Sequence, residues 1–355
     1  MHRSRELCKQ MKYKILGKTG MRVSEVCLGA MTFGDEWGPF GANKQESQKV
    51  FDAFVDAGGN FVDTANLYTN GTSERFVGDF MGSKREKIVL ATKYTNSFPT
   101  GDPNSAGNHR KNLVLSLDAS LKRLKTDYID LYWIHCWDFM SSIESVMRAL
   151  DDAVRSGKVL YVGISDAPAW VVSRANTIAE LRGWSPFAAL QIEYSLAERT
   201  VERELLPMAR ELDLTVTPWG PLKGGTLTGK YLDKKADSSS RYNTDLAKGL
   251  YTESERINGI AREVIRIAGE IGKTPAQVAL AWLKTRGSNI LPIIGAKSVA
   301  QLHDNLGFLE FDLTEGQVDS LNAVSAIEMG FPYDFLSSPM VQNVAYAGMR
   351  EAIVV

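Results

Sequence analysis

Ile88-Val89-Leu90-Ala91-Thr92 followed by Lys93, and Ile129-Asp130-Leu131-Tyr132-Trp133-Ile134 followed by His135, decide the architecture of this chain. Each is a short apolar run, rich in β-branched or aromatic residues, that stops on a polar side chain. A third run, Asn60-Phe61-Val62, stops on Asp63, and Tyr68 lies just beyond it. In barrels of parallel strands the chemistry collects where the strands run out into the following loops. Polar residues closing three successive buried strands therefore read as one site approached from three directions.

Along the rest of the chain, apolar runs alternate with longer segments of helical period, the pattern of repeated βα units. Strands are expected near 25–29, 60–63, 88–92, 129–134, 159–164, 188–192, 214–218 and 290–294. Helices are expected near 44–57, 72–82, 109–125, 142–156, 168–182, 201–212, 255–272 with 274–286, and 298–306. Eight strands, each followed by helix, predict an α/β fold of the (β/α)8 TIM-barrel type. Lys12-Tyr13-Lys14-Ile15-Leu16, Gly17-Lys18-Thr19-Gly20 and Met21-Arg22-Val23 read as an N-terminal hairpin that plugs the barrel bottom. Residues 1–10 are expected to be a disordered extension, 11–330 one barrel domain, and 331–355 a tail. The polar, aperiodic stretch Asp233 to Thr252 reads as a long loop covering the C-terminal face.

The chain has 355 residues, 44% of them hydrophobic, and a formal net charge of −1. That balance describes a soluble globular protein and gives no basis for nucleic acid or an anionic membrane as partner. No apolar run approaches the ~18 residues of a membrane span. The N-terminal decapeptide lacks an apolar core, so it is no secretory signal. Three scattered cysteines (Cys8, Cys27, Cys136) have no metal-ligand spacing and point to a reducing cytoplasm. No helical pattern marks an oligomer interface.

Lys93 beside Asp63 reads first as a structural ion pair. Tyr68 and His135, aimed at the same place, favour chemistry instead. An ammonium next to a phenol lowers the phenol's pKa from its usual ~10, and a phenol so tuned donates a proton to a developing alkoxide. A lone His is more often a core residue, and no second His or Cys supports a metal role for His135. Cys136 cannot cooperate with it, because strand neighbours point to opposite faces. Gly224-Gly225-Thr226-Leu227-Thr228-Gly229-Lys230-Tyr231 imitates a phosphate loop, but Tyr231 stands where magnesium needs Ser or Thr. It reads as a Gly-rich loop over phosphates with Lys230 supplying charge. Ser165, Asp166, Gln191 and Trp219 close strands five to seven: three hydrogen-bonding groups and one indole that suit a flat carboxamide-bearing ring. Loop capping for Ser165 and Asp166 and barrel packing for Trp219 fit equally well. Gly295-Ala296-Lys297-Ser298 opens a helix carrying Gln301 and Asn305, and such a helix start is an anion site.

Together these residues resemble the aldo-keto reductase superfamily from Met11 to about Gly330. The resemblance is carried by Leu28-Gly29-Ala30-Met31-Thr32-Phe33-Gly34, Val62-Asp63-Thr64-Ala65-Asn66-Leu67-Tyr68, Asp127-Tyr128-Ile129-Asp130-Leu131 and Gly229-Lys230-Tyr231. Gly163-Ile164-Ser165-Asp166-Ala167-Pro168-Ala169-Trp170 looks most like the aryl-alcohol dehydrogenase branch; better-known branches carry Asn where this chain has Asp166. The resemblance implies NADP(H)-dependent reduction of aldehydes or ketones, reversible to alcohol oxidation, with NAD(H) a second option. It implies a catalytic group in which Tyr68 donates the proton, Lys93 tunes it, Asp63 holds Lys93 and His135 polarises the carbonyl. Trp219 would stack on the nicotinamide, and Ser165, Asp166 and Gln191 would hold its carboxamide. Gly220, Pro221, Leu222, Lys223, Gly224 and Gly225 with Lys230 and Arg241 would cover the pyrophosphate. Gly295, Lys297, Gln301 and Asn305 would take the adenosine end, with Met31 and Thr32 beside the cofactor; Lys297 and Ser298 suit a 2′-phosphate. Trp37, Tyr94, Phe98 and Trp137 are expected to wall the substrate pocket for a flat or apolar carbonyl compound. Two alternatives resemble this chain as well: the β subunits of potassium channels, which carry Asn in place of His135, and dehydrogenases working in the oxidising direction on secondary alcohols or sugars.

Overall fold

The structure is a computed structural model and describes residues 11–98, 100–232 and 254–354. Its sheet has eight parallel strands: β3 (Cys27–Gly29), β4 (Phe61–Asp63), β5 (Val89–Tyr94), β6 (Ile129–Ile134), β7 (Val159–Ser165), β8 (Phe187–Glu193), β9 (Thr215–Trp219) and β10 (Ile293–Ile294). They are ordered β10-β3-β4-β5-β6-β7-β8-β9, so each strand lies beside its neighbour in the chain and β10 returns beside β3. The last gap is closed just before β10, where Val216 N–H donates to Asn289 O (2.8 Å) and Leu291 N–H to Val216 O (2.9 Å). Pro292 divides the labour of this short segment. Residues before it pair with β9, while its own carbonyl accepts from Cys27 N–H (3.0 Å) and Ile293 and Ile294 pair with β3. This split is why β10 is shorter than the apolar run 290–294 suggests.

Strand alternation builds two cores. On β5, Val89 and Ala91 face the barrel interior with Leu131, Trp133, Phe61 and Ala189, whereas Leu90 and Tyr94 pack outward against the helices. Trp133 fills the interior because its register partner is Gly163, where a Cβ would come within 2.4 Å of the indole. Outside, Thr92 donates to Glu74 Oε1 (2.6 Å) and Arg123 Nε to Glu74 Oε2 (2.5 Å), tying two helices to the back of β5.

The hairpin β1 (Tyr13–Ile15) and β2 (Arg22–Ser24) is antiparallel and seals the strand starts. Leu16 and Val23 are fully buried against the interior layer. Gly17, with φ +50, donates from its backbone to Thr215 Oγ1 (2.8 Å), and a Cβ there would strike Ala188 O at 2.5 Å. Only glycine allows the turn to sit so close to β8.

Helices Lys44–Asp56, Thr72–Met81, Arg110–Leu124, Ile143–Arg155 and Ala169–Arg182 follow their strands as expected. The helix expected over 201–212 begins only at Leu205. Pro207 lacks an N–H and must fall in a first turn, which leaves Thr200–Glu202 as a separate 3-10 turn. Helices Glu255–Ile271, Pro275–Lys284, Val299–Leu306 and Glu315–Val324 complete the outer ring. The tail is not featureless: Tyr333–Leu336 and Pro339–Ala345 are helical and leave Phe331, Met340 and Val344 exposed. Among the described residues no helix is long and apolar enough to cross a membrane. The extension 1–10 and the loop expected between 233 and 252 lie outside the described residues.

If the hairpin is a structural plug, Leu16→Ala should cost about 2–5 kcal/mol in stability through a buried cavity. Urea denaturation measures this, and a loss below about 1 kcal/mol would contradict the packing role.

Candidate active site

A cavity of about 860 Å³ opens at the C-terminal ends of the strands. At one end lie Asp63, Tyr68 and His135, and at the other Lys297, Gln301 and Asn305.

Lys93 is the innermost charged group. It sits on the interior face of β5, in line with Val89 and Ala91, and is fully buried. An ammonium has three N–H bonds, and at zero exposure they must be received by protein groups. Its three acceptors are Asp63 Oδ2, in direct contact, Thr64 O (2.9 Å) and Tyr68 OH (3.2 Å). Every donor is used. Tyr68 oxygen thus accepts from Lys93, and since a phenol has one proton, that proton is left to point into the cavity. Gln191 Nε2 donates to the second Asp63 oxygen (3.2 Å), so β8 also braces the pair.

Burial alone would lower the Lys93 ammonium, but Asp63 and Tyr68 outweigh it and hold its pKa above the usual value. Burial likewise pushes the Asp63 carboxyl up, against the pull of Lys93. The Tyr68 phenol differs from expectation. Lys93 does lower it, but burial is the larger effect and the net shift is upward. Tyr68 is therefore a protonated phenol at neutral pH, held next to a permanent cation.

His135 stands just past β6, its ring 5.8 Å from that of Tyr68 and nearly perpendicular to it. Burial, aided by Lys93, depresses its pKa well below the ordinary value. The imidazole is neutral, and its Nδ1 is buried without a hydrogen-bond partner among the described residues.

Tyr68 is presented by an unusual turn. Thr69 (φ +45) and Asn70 (φ +55) are left-handed, as is Gly71 (φ +80). For a β-branched residue this is an unfavourable backbone, held only where the surroundings over-determine it. Thr69 is fully buried and its hydroxyl donates to Phe33 O (2.7 Å). Nothing in the sequence Tyr68-Thr69-Asn70-Gly71 beyond its last two residues announces that bend.

On the opposite wall, Trp219 N–H donates to Asp166 Oδ1 (3.0 Å). Ser165 and Gln191 are register partners on β7 and β8, both nearly buried and both lining the cavity. Beyond Trp219 the backbone turns through Gly220, Pro221 and Leu222 to Gly224 (φ +64) and Gly225 (φ +94), with Lys230 crossing so close that a Cβ on Gly225 would meet its Nζ at 2.6 Å. Lys223 departs from the expected cofactor set: its ammonium is drawn to Glu193 Oε1 (2.5 Å) and it does not line the cavity. Arg241 lies outside the described residues. At the far end, Ser298 caps the helix by accepting from Gln301 N–H (3.3 Å), and Gln301 Oε1 accepts from Lys297 N–H (2.9 Å). Asn305 donates to Gly295 O (3.3 Å), and Thr32 to Ala296 O (3.2 Å) beside Met31. Such a surface fits an elongated anion with flat rings: an indole at one end, glycine backbone at the middle, and two lysines.

The four aromatic residues expected around the substrate separate. Trp37 packs edge-on to Tyr68 at 6.3 Å between ring centres. Phe98 lies on a loop, largely exposed, and does not line the cavity. Trp137 is buried in the outer core. Tyr94 is a correction: it stacks on Tyr132 outside the barrel and its hydroxyl donates to Asn108 O (3.2 Å). Lys93 faces inward, so its strand neighbour must face out. Cys136 likewise turns from His135 and reaches Asn96 Oδ1 (3.1 Å). Glu193, unnoticed in the sequence, belongs to this rim; its position two residues after Gln191 on one strand was the available signal.

Comparison with known proteins bears directly on this arrangement. A family model described as the aldo/keto reductase family matches residues 25–326, the whole barrel. The aryl-alcohol dehydrogenase (NADP+) of Phanerodontia chrysosporium is 37% identical, over 92% of this chain and 89% of its own length. A norsolorinic acid reductase of Aspergillus flavus is 36% identical over 93% of this chain and 85% of its own. Norsolorinic acid reductase B of Dothistroma septosporum matches at 36%, over 93% and 86% respectively. With barrel, cavity and end-to-end similarity in agreement, this chain belongs to the aldo/keto reductase family and is an oxidoreductase that interconverts carbonyls and alcohols.

Proposed function

We propose that the protein reduces aldehydes or ketones with NADPH, reversibly, and that Tyr68 is the proton donor. One observation carries this reading. Tyr68 oxygen is hydrogen-bonded to a buried, fully engaged ammonium, which leaves its own proton for a group in the cavity. When bound, the nicotinamide supplies the hydride that the carbonyl carbon accepts. As negative charge grows on the carbonyl oxygen, the Tyr68 proton moves to it, and the Lys93 ammonium stabilises the phenolate left behind. His135, neutral and adjacent, donates a hydrogen bond that orients the same oxygen. Asp63 does not touch the substrate; it keeps Lys93 in place.

Trp219, Ser165, Asp166 and Gln191 would seat the nicotinamide, and the glycine-rich turn with Lys230 the pyrophosphate. Lys297, with Gln301 and Asn305, would take the adenosine end. A lysine there favours a 2′-phosphate, because an added dianion gains most beside a cation. The printed name of one relative, with its NADP+, supports this choice. Aromatic carbonyl compounds are the proposed substrates: Trp37 packs edge-on against the phenol, and one relative is named for aryl alcohols. A cytoplasmic setting, expected from the scattered cysteines, belongs to the same proposal.

Tyr68→Phe should lose roughly 10²–10⁴-fold in kcat on 4-nitrobenzaldehyde with NADPH, while NADPH still binds; a fully active variant would sink the mechanism. Preference for NADPH over NADH, measured as kcat/KM, should fall at least about tenfold in Lys297→Ala, the loss of one charge-assisted contact. Equal values for the two cofactors in the unaltered enzyme would refute the preference.

A further inference from the structure

One carboxyl in the cavity wall takes no part in the proton transfer. Asp166 follows β7 in a left-handed conformation (φ +42) that turns the chain at the rim. Its side chain is open to the cavity, and one oxygen accepts from Trp219 N–H (3.0 Å). The backbone fixes it from both sides: its N–H donates to Gln191 O (3.2 Å) and its carbonyl accepts from Trp137 N–H (3.3 Å). The charged and titratable groups around it come from every neighbouring element. Glu193 on β8 carries the Lys223 ammonium, Lys93 lies on β5, Tyr68 follows β4, and His135 and Cys136 follow β6.

We propose that Asp166 selects the redox state of the bound nicotinamide, its carboxylate favouring the cationic oxidised ring over the neutral reduced one. This rests on the nicotinamide reading above and goes beyond it. A ring that exchanges hydride with a carbon whose oxygen meets Tyr68 must lie in the space between Tyr68 and the Trp219–Asp166 wall. That space is within Asp166's field, since its charge raises the Tyr68 phenol. The phosphates and the adenosine are the same in both redox states, so only the ring charge separates them. A unit charge a few ångströms away in a half-enclosed wall changes such an equilibrium roughly tenfold or more.

The protein packed around this exposed rim position raises the Asp166 carboxyl to about 6, with Glu193 adding to the effect and Trp219, Ser165 and Lys93 opposing it. The carboxylate form therefore predominates at neutral pH and is lost as pH falls through that value. The preference for the oxidised cofactor should be present above it and fade below. Linkage makes the reverse true as well: binding the oxidised cofactor should release a proton near that pH, and binding the reduced one should not.

Dissociation constants for NADP+ and NADPH, read from tryptophan quenching of the intact protein, test this without turnover. At about pH 7.5 the ratio Kd(NADP+)/Kd(NADPH) should be roughly tenfold larger in Asp166→Asn than in the unaltered protein. In the unaltered protein the same ratio should climb as pH is lowered from about 8 to about 5.5, which keeps the test intact if the variant fails to fold. The 2′-phosphate titrates in both cofactors and cancels in the ratio. A ratio that is flat with pH and unmoved by the substitution overturns the role of Asp166 while leaving the cofactor reading standing. Failure of the unaltered protein to bind either cofactor overturns both.

Discussion

Burial of the Lys93 ammonium is the constraint on which the rest depends. A cation removed from water costs several kcal/mol unless its donors are all received. Here the three acceptors come from β4 and the loop after it, while Lys93 itself comes from β5. The site therefore exists only when those two strands are paired in register, Phe61 with Val89 and Asp63 with Ala91. Gln191 extends the same demand across the barrel to β8, which ties the integrity of the site to closure of the sheet. Removing the Asp63 carboxylate would leave a buried ammonium short of its counterion, at a cost of about 3–5 kcal/mol. Asp63 thus serves fold and chemistry through one contact.

Around that fixed point, the cavity divides its electrostatics. The interior keeps one cation, one protonated phenol and one neutral imidazole; burial drives the last two, while Asp63 and Tyr68 hold the cation against burial. At the end of the rim beside Trp219 stand the carboxylates Asp166 and Glu193, and each has a different restraint. Glu193 is paired with the Lys223 ammonium, whereas Asp166 is held by neutral donors, the Trp219 indole N–H and Ser165. Of the two, Asp166 keeps its full charge directed at the cavity.

Much of this was legible in the sequence because alternation and strand ends are local signals. Lys93, Asp63 and His135 announce themselves by ending apolar runs, and Ser165, Gln191 and Trp219 close the neighbouring ones. The misreadings came where a second rule overrode the first. Tyr94 was counted with the rim although the parity that turns Cys136 away from His135 also turns Tyr94 away from Lys93. Trp137 followed the same loop into the outer core. Pro292 divides an apolar run and Pro207 delays the start of a helix, each at a place that periodicity alone ignores. The sense of the Tyr68 shift was beyond reach, because it depends on how much protein surrounds the phenol and not on which residue stands next to it.

The left-handed turn at Thr69 and Asn70 has an implication for how this enzyme tolerates change. Glycine at either position would relieve the backbone and, by that measure, make a more comfortable protein. It would also free the segment that presents Tyr68, since the Thr69 hydroxyl bond to Phe33 O and its buried side chain are what hold the turn. Stability and placement of the phenol pull in opposite directions at this one turn. Variants selected for heat resistance alone would accumulate there at the expense of catalysis, and those selected for turnover would keep the strained residues.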